Sequence, residues 1–195
     1  MSVPRNAFPH ALDQFYDFLD ASNGLDGAKN GSTVAVTEYG TGGIHKTVIT
    51  MTATPITLTD DAGVGQYGGV KLYDFPAGSI KTLGATIDAD LTLTNAAWLD
   101  TAEGDVALGT AAPASAIALG TTKANILAST AIAAMTAQVG AINASTITDG
   151  GVAAAGTTDA DLYLNIRIDD NAAHITDGGT ITGTVTVFWI NTGDF

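Results

Sequence analysis

The sequence predicts an all-β protein: an antiparallel β-sandwich of jelly-roll type with a short helical arm at its N-terminus. Side chains alternate between apolar and polar with a period of two over residues 80–94, several other stretches repeat threonine-apolar-threonine, and the chain has no cysteine. Successive side chains of a β-strand point to opposite faces, so such alternation is typical of strands that bury one face. Many strands separated by turn signals favour a sandwich.

The first 32 residues are predicted to form an arm, and residues 33–195 the sandwich domain. Over residues 9–20 the spacing predicts a helix with an apolar side and an acidic side. A link rich in glycine follows at residues 24–32. The helix either covers one end of its own sandwich or packs on a neighbouring subunit, and both interpretations stay open. The two sides consist of Leu12, Phe15, Tyr16 and Leu19 against Asp13, Asp17 and Asp20.

Two strands are predicted at the start of the sandwich, over residues 33–39 and 46–59. In the second strand the apolar positions are odd-numbered as far as Ala53 and even-numbered from Ile56. A change of face beside Pro55 predicts a bulge or a strand that switches sheets, because proline removes one donor from the ladder.

Residues 68–75 and 80–94 predict the next two strands, which are separated by a turn with a proline and a glycine. Residues 96–147 carry no clear period, and we expect short strands and loops there. The buried face of the 80–94 strand is expected to hold Lys81, Leu83, Ala85, Ile87, Ala89, Leu91 and Leu93.

Two alternating strands close the chain. Phe188 and Ile190 put large apolar groups on the face that threonines mark as polar. This pattern predicts a covered surface, under a loop or against another subunit. The inward positions of the two strands are expected to be Leu162, Leu164, Ile166 and Ile168, then Ile181, Val185, Val187 and Trp189.

The excess of acidic over basic residues indicates which classes of binding partner are expected. The chain has 20 acidic and 7 basic residues, a net charge of −13, and only 14% charged residues against 46% hydrophobic ones. Without a basic cluster, nucleic acid and anionic membranes are not expected partners. Few charges on a hydrophobic chain favour oligomerisation. We find no signal-peptide pattern and no apolar run of the roughly 18 residues that a membrane helix needs, so we expect synthesis in a cytosol.

Catalytic chemistry is not predicted. Gly63 to Gly68 has the letters of a dinucleotide-binding loop, but a strand-like run follows it where the mechanism requires a helix, so a glycine-rich hairpin or loop is expected. His10, His45 and His174 are isolated in sequence and are expected on the surface or in loops. We therefore predict no enzyme, no cofactor, and no catalytic or metal-binding residue. Calcium bound by clustered loop aspartates stays open, with the pairs Asp60-Asp61 and Asp169-Asp170 as candidates.

Several segments resemble the capsid decoration, or cement, proteins of tailed bacteriophages. The resemblance lies in residues 43–51, in residues 68–80 with their core Lys71-Leu72-Tyr73-Asp74-Phe75-Pro76-Ala77-Gly78, in residues 161–174 and in the closing Trp189 to Phe195. It implies a β-sandwich that forms a homotrimer on the outer surface of an icosahedral virion. The major capsid protein would be its partner, and a terminal arm would help to clamp adjacent capsomers. No catalytic residues belong to this class.

Aromatic and large apolar side chains are the best candidates for the interface, because such residues dominate binding energy. The expected interface residues are Phe8, Leu12, Phe15, Tyr16, Phe18, Leu19, Phe188, Ile190 and Phe195. The alternative function is a carbohydrate-binding or fibre-type module, for which Trp98 is the candidate aromatic platform.

Overall fold

The computed structural model describes residues 33–40, 44–61, 63–75, 79–94, 103–132, 139–147, 161–169 and 178–191. The helix predicted over residues 9–20 lies outside them. The described part of the chain contains ten β-strands: β1 (Val34–Tyr39), β2 (Ile44–Thr57), β3 (Thr59–Asp61), β4 (Gly65–Asp74), β5 (Ile80–Leu93), β6 (Glu103–Gly109), β7 (Leu127–Ile132), β8 (Val139–Ile147), β9 (Asp161–Asp169) and β10 (Gly178–Asn191).

The strands form two antiparallel sheets of five strands each. Sheet I has the strand order β1-β2-β10-β5-β8, and sheet II has the order β3-β4-β9-β6-β7. Side chains from both sheets join one hydrophobic core. The prediction of an antiparallel all-β, sandwich-like protein is therefore confirmed.

Four strand pairs are nested along the chain: β2 with β10, β4 with β9, β5 with β8, and β6 with β7. The pairs alternate between the sheets, since the first and third lie in sheet I and the second and fourth in sheet II. The first half of the chain thus pairs with the second half in reverse order. Strands β1 and β3 add one neighbour each, beside β2 and β4.

The inner faces of β9 and β10 carry the alternation that the sequence predicts. All eight expected inward side chains of these strands are fully buried: Leu162, Leu164, Ile166, Ile168, Ile181, Val185, Val187 and Trp189. Burying one leucine or isoleucine side chain contributes about 1.5–3 kcal/mol. These two central strands therefore form much of the core.

Strand β2 changes its buried face at a bulge, as the sequence predicts near Pro55. Met51 and Thr54 are both buried, and the pairing with β10 shifts its register at this point. Ala53 has a φ of 46° and is exposed, so its expected place on the buried face was wrong. After Leu58 the chain leaves sheet I and begins β3 in sheet II.

The face assignment for residues 80–94 is confirmed from Ala85 onward and wrong before it. Leu83 has no partner in the pairing of β5 with β10 and is an extra residue on β5. Such a bulge reverses the direction of the side chains that precede it. Ile80 and Thr82 are consequently buried, whereas Lys81 and Leu83 are exposed.

Two further segments, residues 96–147 and the glycine-rich run at residues 63–69, behave as the sequence predicts where the structure describes them. In the described part of residues 96–147 the chain forms β6, β7 and β8 with loops and a single 3₁₀ turn at Thr121–Lys123. The glycine-rich run opens β4 after a tight turn, in which the Val64 amide donates to the Asp61 carbonyl at 2.8 Å. A hairpin therefore joins β3 and β4, and the run has no helix to bind a pyrophosphate.

We expect Gly183→Ala to lower the free energy of unfolding by about 2 kcal/mol or more. Gly183 has a φ of 150°, and a Cβ atom there would lie 2.3 Å from the Asp88 carbonyl oxygen. Because that oxygen belongs to the backbone of β5, the strand itself would have to move. Chemical denaturation measures the change.

Gly120→Ala is the matched control, because a Cβ atom at Gly120 meets no atom within 4 Å. We expect its unfolding free energy to change by no more than about 0.5 kcal/mol. Equal effects of the two substitutions would contradict the proposed crowding at the bulge.

Candidate interaction surface on the outer face of sheet I

The middle of the outer face of sheet II is covered by the chain itself. Asn165 on β9 points outward, yet it is fully buried because residues 110–126 lie over it. Its Nδ2 donates to the carbonyl oxygens of Ala111 and Lys123 at 2.9 and 2.7 Å. The Arg167 guanidinium donates to the Ala116 carbonyl oxygen. This loop, which we call the cover loop, therefore covers the central strand of sheet II, and it exposes Ile117.

The outer face of sheet I exposes large apolar side chains at one end. Ile44 on β2 is 59% exposed, Leu83 on β5 is 36% exposed and Phe188 on β10 is 40% exposed. Ile190 pairs directly with Ile44 across β2 and β10 and is partly exposed. We call these four side chains the apolar patch. Its neighbouring positions on three adjacent strands make it one continuous surface.

A groove of about 380 Å³ lies beside the apolar patch. Its walls come from β5, β8 and β10, and its size suits one or two large side chains of a partner. The groove is lined mainly by apolar atoms and short hydroxyl groups, which favours a hydrophobic ligand group. The lining residues are Leu83, Gly84, Ala85, Thr86, Ser145, Thr146 and Phe188.

Charge is distributed unevenly over the outer face of sheet I. Lys46 and Lys81 flank the apolar patch, since Lys46 pairs with Phe188 and Lys81 pairs with Ile190. The Lys46 ammonium lies 5.4 Å from the centre of the Tyr39 ring. Further along β5 the outward residues are Asp88 and Asp90. The patch end of this face is thus apolar and cationic, and the other end is acidic.

A buried polar cluster lies beneath the apolar patch. Glu38 on β1 points inward, and its Oε1 lies 3.0 Å from Nδ1 of His45. Its other oxygen accepts a hydrogen bond of 2.7 Å from the hydroxyl of Tyr73. The carboxylate is only 7% exposed. Because Tyr73 belongs to β4, this hydrogen bond joins sheet II to sheet I.

Aromatic rings enclose the cluster. The Trp189 ring stacks on His45, with ring centres 4.1 Å apart, and Phe75 meets its face edge-on at 5.5 Å. The Trp189 indole donates to the Thr47 hydroxyl at 2.9 Å. Burial raises the pKa of Tyr73 far above its usual value, and the Glu38 carboxylate raises it further. Tyr73 therefore stays protonated and keeps donating its hydrogen bond.

The expectation that His45 lies on the surface or in a loop was wrong. His45 is 7% exposed because it occupies an inward position of β2, in step with Thr47 and Ile49. The alternation of this part of the sequence could have predicted the inward position of His45, since it is in step with Thr47 and Ile49. Histidine and glutamate are polar, however, and residues of this kind are ordinarily expected to be exposed. His10 and His174 lie outside the described residues.

The structure places two of the nine expected interface residues. Phe188 and Ile190 lie on the outer face of sheet I, in the apolar patch, and their role in an interface stays a prediction. The remaining seven lie outside the described residues: Phe8, Leu12, Phe15, Tyr16, Phe18, Leu19 and Phe195. Sequence reasoning missed Ile44 and Leu83, which complete the patch.

Two of the candidate binding groups of the sequence, Asp61 and Trp189, have structural roles. The Asp61 carboxylate accepts a 2.9 Å hydrogen bond from the Ala116 amide and so anchors the cover loop. Trp189 is fully buried, as its apolar face predicts. Trp98 and Asp170 lie outside the described residues. Within those residues, no group of three or more histidine, aspartate or glutamate side chains is arranged to hold a metal ion.

Comparison with protein-family profiles, curated proteins and solved structures found no match to this chain. None of the helices in the described ranges is long and apolar enough to cross a membrane.

We expect Tyr73→Phe to lower the free energy of unfolding by about 1–3 kcal/mol, because the buried Glu38 carboxylate would lose a hydrogen-bond donor. Thermal or chemical denaturation of the full chain measures the loss. Tyr163→Phe is the control, because the Tyr163 hydroxyl also donates to a carboxylate, that of Asp161 at 3.1 Å. That pair is partly exposed, so water can replace the hydroxyl and the change should stay within about 0.5 kcal/mol. A Tyr73→Phe variant as stable as this control would show that the cluster does not depend on the hydrogen bond.

Proposed function

We propose that the protein is a structural virion protein that binds the outer surface of an icosahedral capsid as a trimer and stabilises contacts between capsomers. It would be made in the host cytoplasm, with the major capsid protein as its partner. The sandwich would be a jelly roll. The expectation rests on the sequence resemblance, and one observation of the structure supports it above the others.

That observation is the nested order of the strands. A jelly roll consists of eight strands in two sheets, formed by two interlocked Greek keys, and the fold recurs in viral capsid proteins and lectins. A jelly roll can be described as one long antiparallel ribbon, in which the first four strands pair with the last four, wrapped so that successive pairs lie in alternate sheets. The four nested strand pairs of this protein, which alternate between sheets I and II, support this interpretation. In this interpretation β1 and β3 are additions to the eight-stranded core.

The difference between the two outer faces also supports a binding role. Sheet II has its own cover loop, whereas sheet I presents the apolar patch and a groove. Exposed apolar patches of this kind are typical of interaction sites. The net charge of −13 would keep free copies apart until specific contacts overcome the repulsion. Many weak contacts on one shell then add up to strong attachment.

The observations favour a shell protein over a carbohydrate-binding module. Flat sugar rings are commonly held against exposed aromatic platforms, and of the two tryptophans only Trp189 lies within the described residues, where it packs in the core against His45. Phe188 is the large exposed aromatic side chain of the apolar patch, and the surfaces beside it are aliphatic or cationic. Such a surface suits a protein partner better than a polyhydroxylated ligand.

We expect light scattering to give the purified chain a mass near three times 19.6 kDa, and we expect the chain to sediment with empty capsid shells of the phage that encodes it. A Phe188→Ser/Ile190→Ser variant should sediment with the shells at a level at least tenfold lower, because the loss of apolar contact area weakens assembly of the copies, and attachment at many sites depends on that assembly. A Thr184→Ser variant on the same face is the control. A stable chain that binds no shell at any concentration would contradict the proposed function.

A further inference from the structure

We propose that residues 9–20 of one copy bind the apolar patch of a second copy. This inference rests on the proposed function only in requiring that several copies assemble. It names the occupant of the outer face of sheet I and gives the arm a defined docking site. Three observations carry it: the match of apolar shapes, the match of charge, and the place where the described chain begins.

The apolar surfaces match in size and spacing. The arm has large apolar side chains at positions i, i+3, i+4 and i+7, the spacing with which an amphipathic helix fills a hydrophobic groove. The patch offers such a groove, with a volume of about 380 Å³ between Leu83 and Phe188. Phe15 or Tyr16 would fill much of it. Ile44 and Ile190 extend the contact along the sheet.

The charges match as well. The arm segment carries Asp13, Asp17 and Asp20 and no lysine or arginine. At about 3.6 residues per turn of a helix, Asp13 and Asp20 lie on the flank of the apolar stripe next to Tyr16, where they can approach cations at the border of the patch. The patch is flanked by Lys46 and Lys81, in a chain that has only 7 basic residues in total.

Two cations of sheet II are already committed to partners within the chain. Lys71 lies 2.5 Å from Asp161, and the pKa of Lys71 is raised mainly by this hydrogen bond. Arg167 lies 3.1 Å from Asp105. Lys46 and Lys81, in contrast, lie beside an open, apolar surface. An acidic helix would complement their charge.

The starting point of the described chain favours a neighbouring copy as the source of the arm. The Thr33 carbonyl accepts a hydrogen bond from Thr52, eight residues along β2 from Ile44. At about 3.3 Å per residue, the arm therefore leaves the sheet about 26 Å from the patch of its own copy. The link of residues 21–32 is long enough to span that distance, but its path to the patch of its own copy would follow the acidic end of the sheet, which repels an acidic arm. Binding to the patch of a neighbouring copy does not require this path.

Such a contact joins two different surfaces, so repeating it produces a closed ring when the rotation between copies allows. In a trimer each copy would give one arm and receive another. This arrangement explains why apolar side chains stand at two separate places in a chain with few charges: each place is covered by the other.

Two variants of the full chain test the inference. Phe15→Ser/Leu19→Ser disables the arm, and Leu83→Ser/Phe188→Ser disables the patch. We expect each variant to be folded, with an unfolding transition close to that of the unaltered chain, and to associate at least tenfold more weakly in analytical ultracentrifugation. Val139→Ser is the control, because Val139 is 39% exposed and lies outside the patch. Its association should not change.

An equimolar mixture of the two variants gives the decisive measurement. The patch variant keeps an intact arm, and the arm variant keeps an intact patch, so one contact can form between them. We expect a complex of about twice 19.6 kDa in the mixture and single chains in each separate sample. Because each pair has only one intact contact, the complex cannot close into a ring.

Three outcomes would overturn the inference. First, the arm variant and the patch variant could each be monomeric and stay monomeric when they are mixed. The arm would then not bind the patch of a second copy, and binding within its own copy would be the remaining explanation. Variants that both remain trimers would mean that another surface holds the copies together, and capsid binding would then stand without the arm-to-patch contact. An unaltered chain that is monomeric at all concentrations would leave no second copy to bind.

Discussion

Two sheets can share one core only if every strand directs its apolar side chains into the space between the sheets. A strand without a bulge does so over its whole length only when apolar and polar residues alternate in its sequence without interruption. In this protein several strands do not, and register shifts correct them in the pairings of β2, β4, β5 and β6. The bulges have a second effect on the surface. The extra residue at Leu83 turns Lys81 and Leu83 outward, and thereby produces much of the apolar patch and its cationic border.

The buried cluster around Glu38 sets the shape of the same end of the molecule. Removing a carboxylate from water is unfavourable by several kcal/mol unless its oxygens are hydrogen-bonded. Here both oxygens have polar neighbours, one from β2 and one from β4. The hydrogen bond from Tyr73 can form only when the two sheets are correctly aligned. The contribution of the cluster is therefore mainly one of specificity, since it fixes the position of the strands that carry Ile44 and Phe188.

Local patterns predicted the parts of the fold that local physics determines. The inward faces of β9 and β10 followed directly from a period of two. The bulge in β2 was expected beside Pro55 because the apolar face changes there, and it lies two residues earlier, at Ala53. The bulge at Leu83 has a weaker marker: Gly84, the next residue, is an isolated glycine within a strand, which often accompanies a bulge but does not require one. The burial of Glu38 and His45 depends on Tyr73 and Phe75 from the other sheet. Contacts between residues so distant in sequence produce no characteristic spacing along the chain. The sequence therefore did not predict this cluster, nor Ile44 and Leu83 as members of the apolar patch.

The inward direction of Glu38 also bears on how the edge of the sheet meets other chains. Among the described strands, β1 lies at an edge of sheet I, and exposed edges recruit further strands into growing assemblies. If β1 slipped by one residue against β2, the carboxylate would leave the core and lose its hydrogen bond from Tyr73. An acidic residue that points inward on an edge strand is one of the devices by which proteins discourage edge-to-edge aggregation, and Glu38 occupies such a position.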